Sequence, residues 1–159
     1  LLLGYASPRQ IYYMAKIELF RIHPWLSRFL EAAGTFPIDR GRSDTAALTA
    51  AETLLRRGKV LGMFPEGTRI ARGEKGDYKT GGTRLAIAAG VPVIPIAVTS
   101  GRCWPAKAFV KQPGVVDISI GQPIASTGRD AESLMAEVEA WIEAEMRRLD
   151  PEAYSSQSL

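Results

Sequence analysis

Cysteine and histidine are scarce in this sequence: its 159 residues contain one of each, Cys103 and His23. A single cysteine forms no internal disulfide, so the sequence favours a protein of a reducing compartment. No apolar run approaches the roughly 20 residues that cross a bilayer, and the three opening leucines are too few for the core of a signal peptide. Collagen-like and low-complexity stretches are also lacking. These absences exclude a disulfide-stapled domain and a fibrous protein.

The composition is that of an ordinary globular domain, with 46% hydrophobic and 23% charged residues. A chain of this length buries most of its surface around one core. We therefore predict a single domain over residues 1–150. Pro151 should end the last helix, and the polar residues 151–159 are expected to form a flexible tail.

Strand-like and helix-like segments alternate along the chain. Helix starts and ends are marked by capping residues, glycines and Pro24, and the apolar residues of the last helix follow helical spacing. The pattern predicts strands over residues 11–15, 60–64, 91–98 and 115–120, a short apolar segment over 36–38, and helices over 24–33, 46–57, 82–89 and 130–149. Such alternation is typical of an α/β fold with a mixed, largely parallel sheet layered with helices.

Charge is distributed unevenly. Residues 1–112 hold 17 Lys and Arg against 8 Asp and Glu, a difference of +9, whereas residues 113–159 hold 3 against 9, a difference of −6. The positive charge of residues 1–112 suggests an anionic partner, which could be a phosphate ligand, a lipid headgroup or a nucleic acid. An unequal scatter of solvated charges is the alternative interpretation.

The strongest local signal is a turn-forming stretch that follows a predicted strand, Phe64-Pro65-Glu66-Gly67-Thr68-Arg69. Glycine permits close approach of a ligand to the backbone. Arginine offers a planar fork for phosphate oxygens, and threonine offers a hydroxyl donor. The stretch therefore indicates an anion site, with a simple strand-exit turn containing a Glu–Arg pair as the alternative.

Two more basic residues occupy positions that suit the same anion. Arg40 follows the apolar segment 36–38, and Lys79 stands just before a predicted helix, whose N-terminal N–H groups attract anions. Lys79-Thr80 has the Lys-Thr order of a nucleotide-binding loop. Tyr78, however, stands where that loop requires glycine, so we reject a nucleoside-triphosphate site.

Three blocks of the sequence, in order, resemble the glycerolipid acyltransferases of the 1-acylglycerol-3-phosphate O-acyltransferase type. They are residues 34–40 (Gly-Thr-Phe-Pro-Ile-Asp-Arg), 64–69 and 91–96 (Val-Pro-Val-Ile-Pro-Ile). Pro37 departs from the family, in which Phe is common at that place. The resemblance covers about residues 10–125. It implies a glycerol-3-phosphate acyltransferase-like α/β fold.

The resemblance also implies an activity: transfer of a fatty acyl group to the sn-2 hydroxyl of 1-acylglycerol-3-phosphate, giving phosphatidate. Its acceptor-binding residues are expected to be Arg40, Glu66, Gly67, Thr68, Arg69 and Lys79. The family's catalytic His-x-x-x-x-Asp/Glu block is not in these residues, since Arg28 stands five places after His23. We expect the chain to be N-terminally truncated just after that block, to contain no catalytic residue, and to use His23 as a helix-entry residue.

The family's acyl donor is acyl-CoA or acyl carrier protein, so no cofactor and no metal is expected. A lipid substrate implies that the protein works at a membrane surface, which we expect to be the cytoplasmic face. The protein is expected to bind there peripherally or through an anchor in the missing N-terminal segment. Trp25, Leu26, Phe29 and Leu30 are expected to pack into the core, with membrane contact as the alternative. Trp104 and Phe109, with Lys107 and Lys111 nearby in sequence, are a second candidate membrane contact, and a plain loop and strand is the alternative.

Three hypotheses remain open at this point. The first is the phosphatidate-forming enzyme, or an acyltransferase acting on another lysolipid. The second is a non-catalytic homologue that binds lipid phosphate. The third is nucleic-acid binding by the basic face, which we do not expect because no recognisable module is present and aromatic residues are not interleaved with the basic ones.

Overall fold

A computed structural model describes residues 3–4, 7–38, 45–68, 70–105 and 108–155. The chain divides into two compact units. The first comprises Leu1–Met63 with Ala88–Val91, and the second comprises Phe64–Ile87 with Pro92–Leu159. The single domain over residues 1–150 stays a prediction.

The first unit is built on a three-stranded parallel sheet in the order β2-β1-β3. Tyr13 of β1 is in register with Thr35 of β2 on one side and with Gly62 of β3 on the other. Parallel neighbours need crossover connections, and helices provide them here. The elements are β1 (Ile11–Lys16), α1 (Ile17–Arg21), α2 (Pro24–Ala32), β2 (Thr35–Ile38), α3 (Thr45–Arg56) and β3 (Val60–Gly62).

Helices α2 and α3 begin within one residue of the predicted positions, whereas the short helix α1 was not predicted. Pro24 occupies the first turn of α2, and the Nδ1 atom of His23 accepts a hydrogen bond from the backbone N–H of Trp25 at 3.4 Å. His23 is therefore the helix-entry residue that we expected. Helix α3 buries the small side chains of Ala47 and Ala51.

The second unit contains a two-stranded antiparallel sheet, in which Ile96 pairs with Ile120 and Val98 with Ile118. The predicted strand 91–98 shrinks to its last three residues because Pro92 and Pro95 have no N–H to donate. The elements of the second unit are α4 (Gly81–Ala89), β4 (Ile96–Val98), a 3₁₀ turn (Ser100–Arg102), β5 (Ile118–Ile120), α5 (Ala131–Leu149) and α6 (Pro151–Tyr154). The last two residues of α4 belong to the first unit. With two parallel strand pairs and one antiparallel pair, the predicted mixed, largely parallel α/β class is confirmed.

Helix α5 forms much of the core of the second unit, as its apolar spacing predicts. Leu134, Met135 and Val138 are buried. The carboxylate of Asp130 caps the helix by accepting a hydrogen bond from the N–H of Ser133 at 2.8 Å. Within the described ranges, no helix is both long enough and apolar enough to cross a membrane.

Residues 151–155 differ from the loose tail that the sequence predicts. Pro151 does end α5, but it also fits the first turn of the short helix α6, where its missing N–H costs nothing. The ring of Tyr154 lies under the guanidinium of Arg147 at 5.1 Å. Residues 156–159 lie outside the described part of the chain.

A buried carboxylate, Asp150, joins three parts of the second unit. Arg72 donates two hydrogen bonds to it, at 2.7 and 2.8 Å, and Arg102 approaches it at 3.2 Å. Arg102 also pairs with Asp117 at 2.9 Å. The hydrogen bonds from Arg72 outweigh desolvation and, with Arg102, lower the pKa of Asp150 from 3.8 to about 2.

Replacing Asp150 by Asn should lower the free energy of unfolding by about 2 kcal/mol near pH 7, since hydrogen bonds to a charged partner are lost. The folded-state pKa of Asp150 lies below its unfolded value, so its stabilisation is full above about pH 4 and declines towards pH 2. Urea unfolding from pH 7 to pH 2 measures both effects. A gap between wild type and variant that stays constant down to pH 2 would contradict the assigned role.

Candidate functional site

The turn that follows β3 in sequence carries the strongest sequence signal. The N–H of Gly67 donates to the carbonyl of Phe64 at 3.0 Å, and Gly67 has a φ of 66°. Such a backbone conformation favours glycine. Met63 and Phe64 are exposed, so the predicted buried strand over 60–64 ends two residues earlier than expected.

Residues 64–68 and 70–80 belong to a loop, called here the signature loop, whose two ends meet. The N–H of Lys79 donates to the carbonyl of Pro65 at 2.9 Å. This bond places Lys79 next to the turn that holds Glu66, Gly67 and Thr68. The ammonium of Lys79 pairs with the exposed carboxylate of Asp77, an interaction that contributes little and leaves the ammonium free to exchange partners.

Glu66 is half-buried and packs against the backbone of the same loop. A Cβ atom added at Gly76 would lie 2.7 Å from Cγ of Glu66 and 2.9 Å from Cγ1 of Ile70. Gly76 therefore has to be small so that the Glu66 side chain can lie where it does. Gly67 and Thr68, by contrast, are exposed and accessible to a ligand.

Helix α4 begins directly after the signature loop, at Gly81. The hydroxyl of Thr83 donates to the carbonyls of Thr80 and Ala131, at 3.0 and 2.9 Å, so it points into the core and is not available to a ligand. Any anion binding at this helix end would rest on the backbone N–H groups of the first turn, which have no partner four residues back.

The structure thus brings together four of the six predicted acceptor-binding residues, Glu66, Gly67, Thr68 and Lys79, in one loop of the second unit. The other two, Arg40 and Arg69, lie outside the described residues. That these two guanidinium groups converge on one anion stays a prediction.

Residues that our sequence analysis did not single out hold the loop against α5. The hydroxyl of Tyr78 donates to Glu143 at 3.1 Å, and Lys75 pairs with Glu139 at 2.5 Å. Arg72 pairs with Asp150 just beyond the end of the helix. One signal was present in the sequence: Glu143 interrupts the otherwise apolar buried face of α5.

These contacts also explain part of the uneven charge. Basic residues of the first 112 positions pair with acidic residues of the last 47 within the second unit: Arg72 with Asp150, Lys75 with Glu139, Arg84 with Glu132 and Arg102 with Asp117. The acidic segment therefore neutralises some of the basic one internally. For these four basic residues, an external anionic partner is not needed.

A model of the Acyltransferase family matches residues 1–99 of the chain. The chain is 34% identical over 142 residues to the 1-acyl-sn-glycerol-3-phosphate acyltransferase of Pseudomonas aeruginosa, an alignment that covers 86% of this chain and 55% of that protein. It is 34% identical over 120 residues to the protein of the same name from Bacillus subtilis, covering 74% and 56%.

Among solved structures, the chain is similar to the 1-acyl-sn-glycerophosphate (LPA) acyltransferase PlsC of Thermotoga maritima. The TM-score is 0.76 at 28% sequence identity, covering 94% of this chain and 60% of that one. The chain thus spans little more than half the length of these relatives.

Replacing Gly76 by Ala should push Glu66 out of its place, because the new methyl group would overlap Cγ of Glu66. We expect a loss of about 1–3 kcal/mol in the free energy of unfolding, as for other overpacked sites, and shifted amide resonances of Gly67 and Thr68. Urea unfolding and ¹⁵N–¹H NMR spectra measure these effects.

The matched control is Gly101→Ala, whose new methyl group would meet Cβ and Cα of Arg72 at ordinary distances of 3.5 and 3.9 Å. It should change the unfolding free energy by less than about 0.5 kcal/mol and leave the resonances of Gly67 and Thr68 in place. If both variants changed the free energy of unfolding and the resonances of Gly67 and Thr68 to the same extent, the packing of Glu66 on Gly76 would be contradicted.

Proposed function

Because this chain belongs to the Acyltransferase family, we propose that it takes part in transferring a fatty acyl group to the sn-2 hydroxyl of 1-acylglycerol-3-phosphate, giving phosphatidate. The acyl donor is acyl-CoA or acyl carrier protein. These 159 residues supply the elements that bind the acceptor. The names of the two relatives with 34% identity support this choice of acceptor.

The observation that carries the proposal is the closed signature loop. Its turn presents the exposed Thr68 next to Lys79, and hydroxyl and ammonium groups both bind phosphate oxygens. The exposed Gly67, whose N–H is bonded to Phe64, leaves room for a ligand to approach the turn. Glu66 can accept a hydrogen bond from a glycerol hydroxyl. Arg40 and Arg69 complete the proposed phosphate site with guanidinium donors.

The proposed chemistry needs a base that these residues do not contain. The acceptor hydroxyl attacks the thioester carbonyl, the thiolate leaves, and a general base takes the hydroxyl proton and passes it to the thiolate. The one histidine, His23, is committed to the start of α2. We propose that the base is the histidine of a His-x-x-x-x-Asp/Glu block outside these 159 residues.

Within this scheme the signature loop contributes orientation. Holding a hydroxyl in line with its target converts an encounter between two molecules into a step within one complex. This change can lower the activation free energy by several kcal/mol. No acyl-enzyme forms, so Cys103 has no role as a nucleophile.

A lipid acceptor implies contact with a membrane surface, and helix α2 of the first unit, together with the residues just before it, has a suitable exposed surface. Ile22, Trp25 and Phe29 are 67%, 64% and 63% exposed. For Trp25 and Phe29 the prediction of core packing is therefore wrong; the side chain of Leu26 lies outside the described part. Arg21 and Arg28, both exposed, add positive charge that anionic lipids attract.

The second unit has a further exposed apolar segment, as the sequence suggested. Phe109 is 99% exposed and Val110 follows it. Lys111 lies over the ring of Trp104 at 4.4 Å, so a cation stands beside the apolar residues. We propose that both segments touch the cytoplasmic face of the membrane, where acyl-CoA and acyl carrier protein are found.

In the natural protein that carries this sequence, Thr68→Ala and Glu66→Ala should each raise the KM for lysophosphatidate about tenfold, because each removes a contact to the acceptor worth about 1.4 kcal/mol. Product analysis by mass spectrometry with acyl-CoA or acyl carrier protein as donor measures the reaction. Thr53→Ala is the control, since that hydroxyl bonds only to the backbone of its own helix, at 2.8 Å from the carbonyl of Thr49.

An unchanged KM in both site variants would show that the turn does not bind the acceptor. Binding of lysophosphatidate without any turnover would identify a non-catalytic lipid-phosphate-binding homologue. Acylation of a different lysolipid in preference to lysophosphatidate would show that the other lysolipid, and not lysophosphatidate, is the acceptor.

Replacing Trp25 and Phe29 together by Ser should weaken binding to vesicles of phosphatidylcholine and phosphatidylglycerol by about tenfold or more, because two large apolar side chains no longer enter the interface. Vesicle sedimentation measures this. Leu48→Ser, which alters an exposed leucine of α3 in the same unit, is the matched control and should bind like wild type. Equal binding of all three proteins would exclude α2 as a membrane contact.

A further inference from the structure

One hydrogen bond between the signature loop and helix α5 has an unusual acceptor. The hydroxyl of Tyr78 donates to Oε1 of Glu143 at 3.1 Å. Glu143 is only 9% exposed, on the face of α5 that also buries Met135 and Val138. A carboxylate in such a place costs free energy unless hydrogen bonds and charges compensate it.

The compensation for Glu143 is incomplete. Its Oε2 atom is buried and has no hydrogen-bond partner among the residues that the structure describes. The nearest cation is Arg147, with Nη1 at 3.6 Å from Oε2. The hydroxyl of Tyr78 is therefore important to this carboxylate, and removing it would leave both oxygens without a close donor in the described part of the chain.

Tyr78 also lies close to Glu66. Burial raises the pKa of the Tyr78 hydroxyl well above its ordinary value of 10, and the negative charges of Glu66 and Glu143 raise it further. The hydroxyl consequently keeps its proton, and it donates that single proton to Glu143. The carboxylate of Glu66 does not receive it.

The position of Tyr78 in the chain makes this bond consequential. Tyr78 directly precedes Lys79, whose N–H closes the signature loop onto Pro65. Gly76, two residues earlier, packs against Glu66. A hydrogen bond that fixes Tyr78 on a long helix therefore fixes both contacts that shape the surroundings of Glu66.

We propose that Tyr78 and Glu143 are positioning residues: by anchoring the end of the signature loop to α5, they hold Glu66 in the orientation that binds the glycerol part of the acceptor. This inference rests on the proposed function, because the acceptor is the ligand of Glu66. Neither residue touches substrate in this account; both act through the loop.

The test compares Tyr78→Phe and Glu143→Leu with Glu143→Gln in the natural protein. Tyr78→Phe removes the donor and Glu143→Leu removes the acceptor, so each should raise the KM for lysophosphatidate about tenfold and change kcat less than threefold. Glu143→Gln keeps a carbonyl oxygen for the Tyr78 hydroxyl and should have a KM within about twofold of wild type. The double variant Tyr78→Phe with Glu143→Leu should be no worse than either single one.

A second readout needs no ligand. Amide hydrogen exchange of Gly67 and Lys79 should be faster in Tyr78→Phe, while the amides of α5 exchange as in wild type. Tyr154→Phe is the matched control, because it removes another half-buried tyrosine hydroxyl of the same unit for which no described residue provides a hydrogen-bond partner. It should leave both KM and the exchange of Gly67 and Lys79 unchanged.

The outcomes separate the two levels of the account. An active wild type with an unchanged KM in Tyr78→Phe would overturn the positioning role and leave the proposed function standing. A raised KM in Glu143→Gln equal to that of Glu143→Leu would also overturn it, since the charge and not the hydrogen bond would then matter. A wild type that neither binds nor acylates lysophosphatidate would overturn the proposed function and this assignment with it.

Discussion

The closed shape of the signature loop is the constraint on which the rest of this site depends. A loop of this length, rich in glycine and charge, would sample many conformations if only its sequence held it. One backbone hydrogen bond, from Lys79 to Pro65, joins its ends, and side chains from three places along it reach α5 or the residue after it. Because these contacts are made before any ligand arrives, the groups at the turn are already ordered, and less entropy is lost on binding.

The charges of the chain serve two purposes that the sequence alone did not separate. Part of the basic surplus neutralises carboxylates of the second unit, most clearly at Asp150, where two arginines meet one buried acid. Another part is exposed on α2 beside Trp25 and Phe29. This second kind of charge, like that of Lys111 beside Trp104, is placed to attract lipid headgroups. Net charge therefore indicated an anionic partner for a larger part of the surface than the structure leaves open to one.

Much of the fold could be predicted because local signals agreed with the tertiary structure. The bounds of α2, α4 and α5 follow from Pro24, from glycines and from the spacing of apolar residues. Strand lengths were overestimated at 60–64, 91–98 and 115–120, since apolar composition does not reveal which residues are exposed. The glycines and hydroxyl of the turn were found from residue chemistry. Tyr78 and Glu143, 65 residues apart, were not, because the only local trace of their pairing is a carboxylate on the apolar face of α5, which does not reveal its partner.

The central claim is that the turn of the signature loop binds the phosphate-bearing glycerol of the acceptor. The most direct measurement is a crystal structure of the natural protein with sn-glycerol 3-phosphate. The account predicts the phosphate within hydrogen-bond distance of the Thr68 hydroxyl and of the Arg69 guanidinium, with Glu66 on the glycerol. A phosphate bound elsewhere on the protein, with the turn unoccupied, would contradict it.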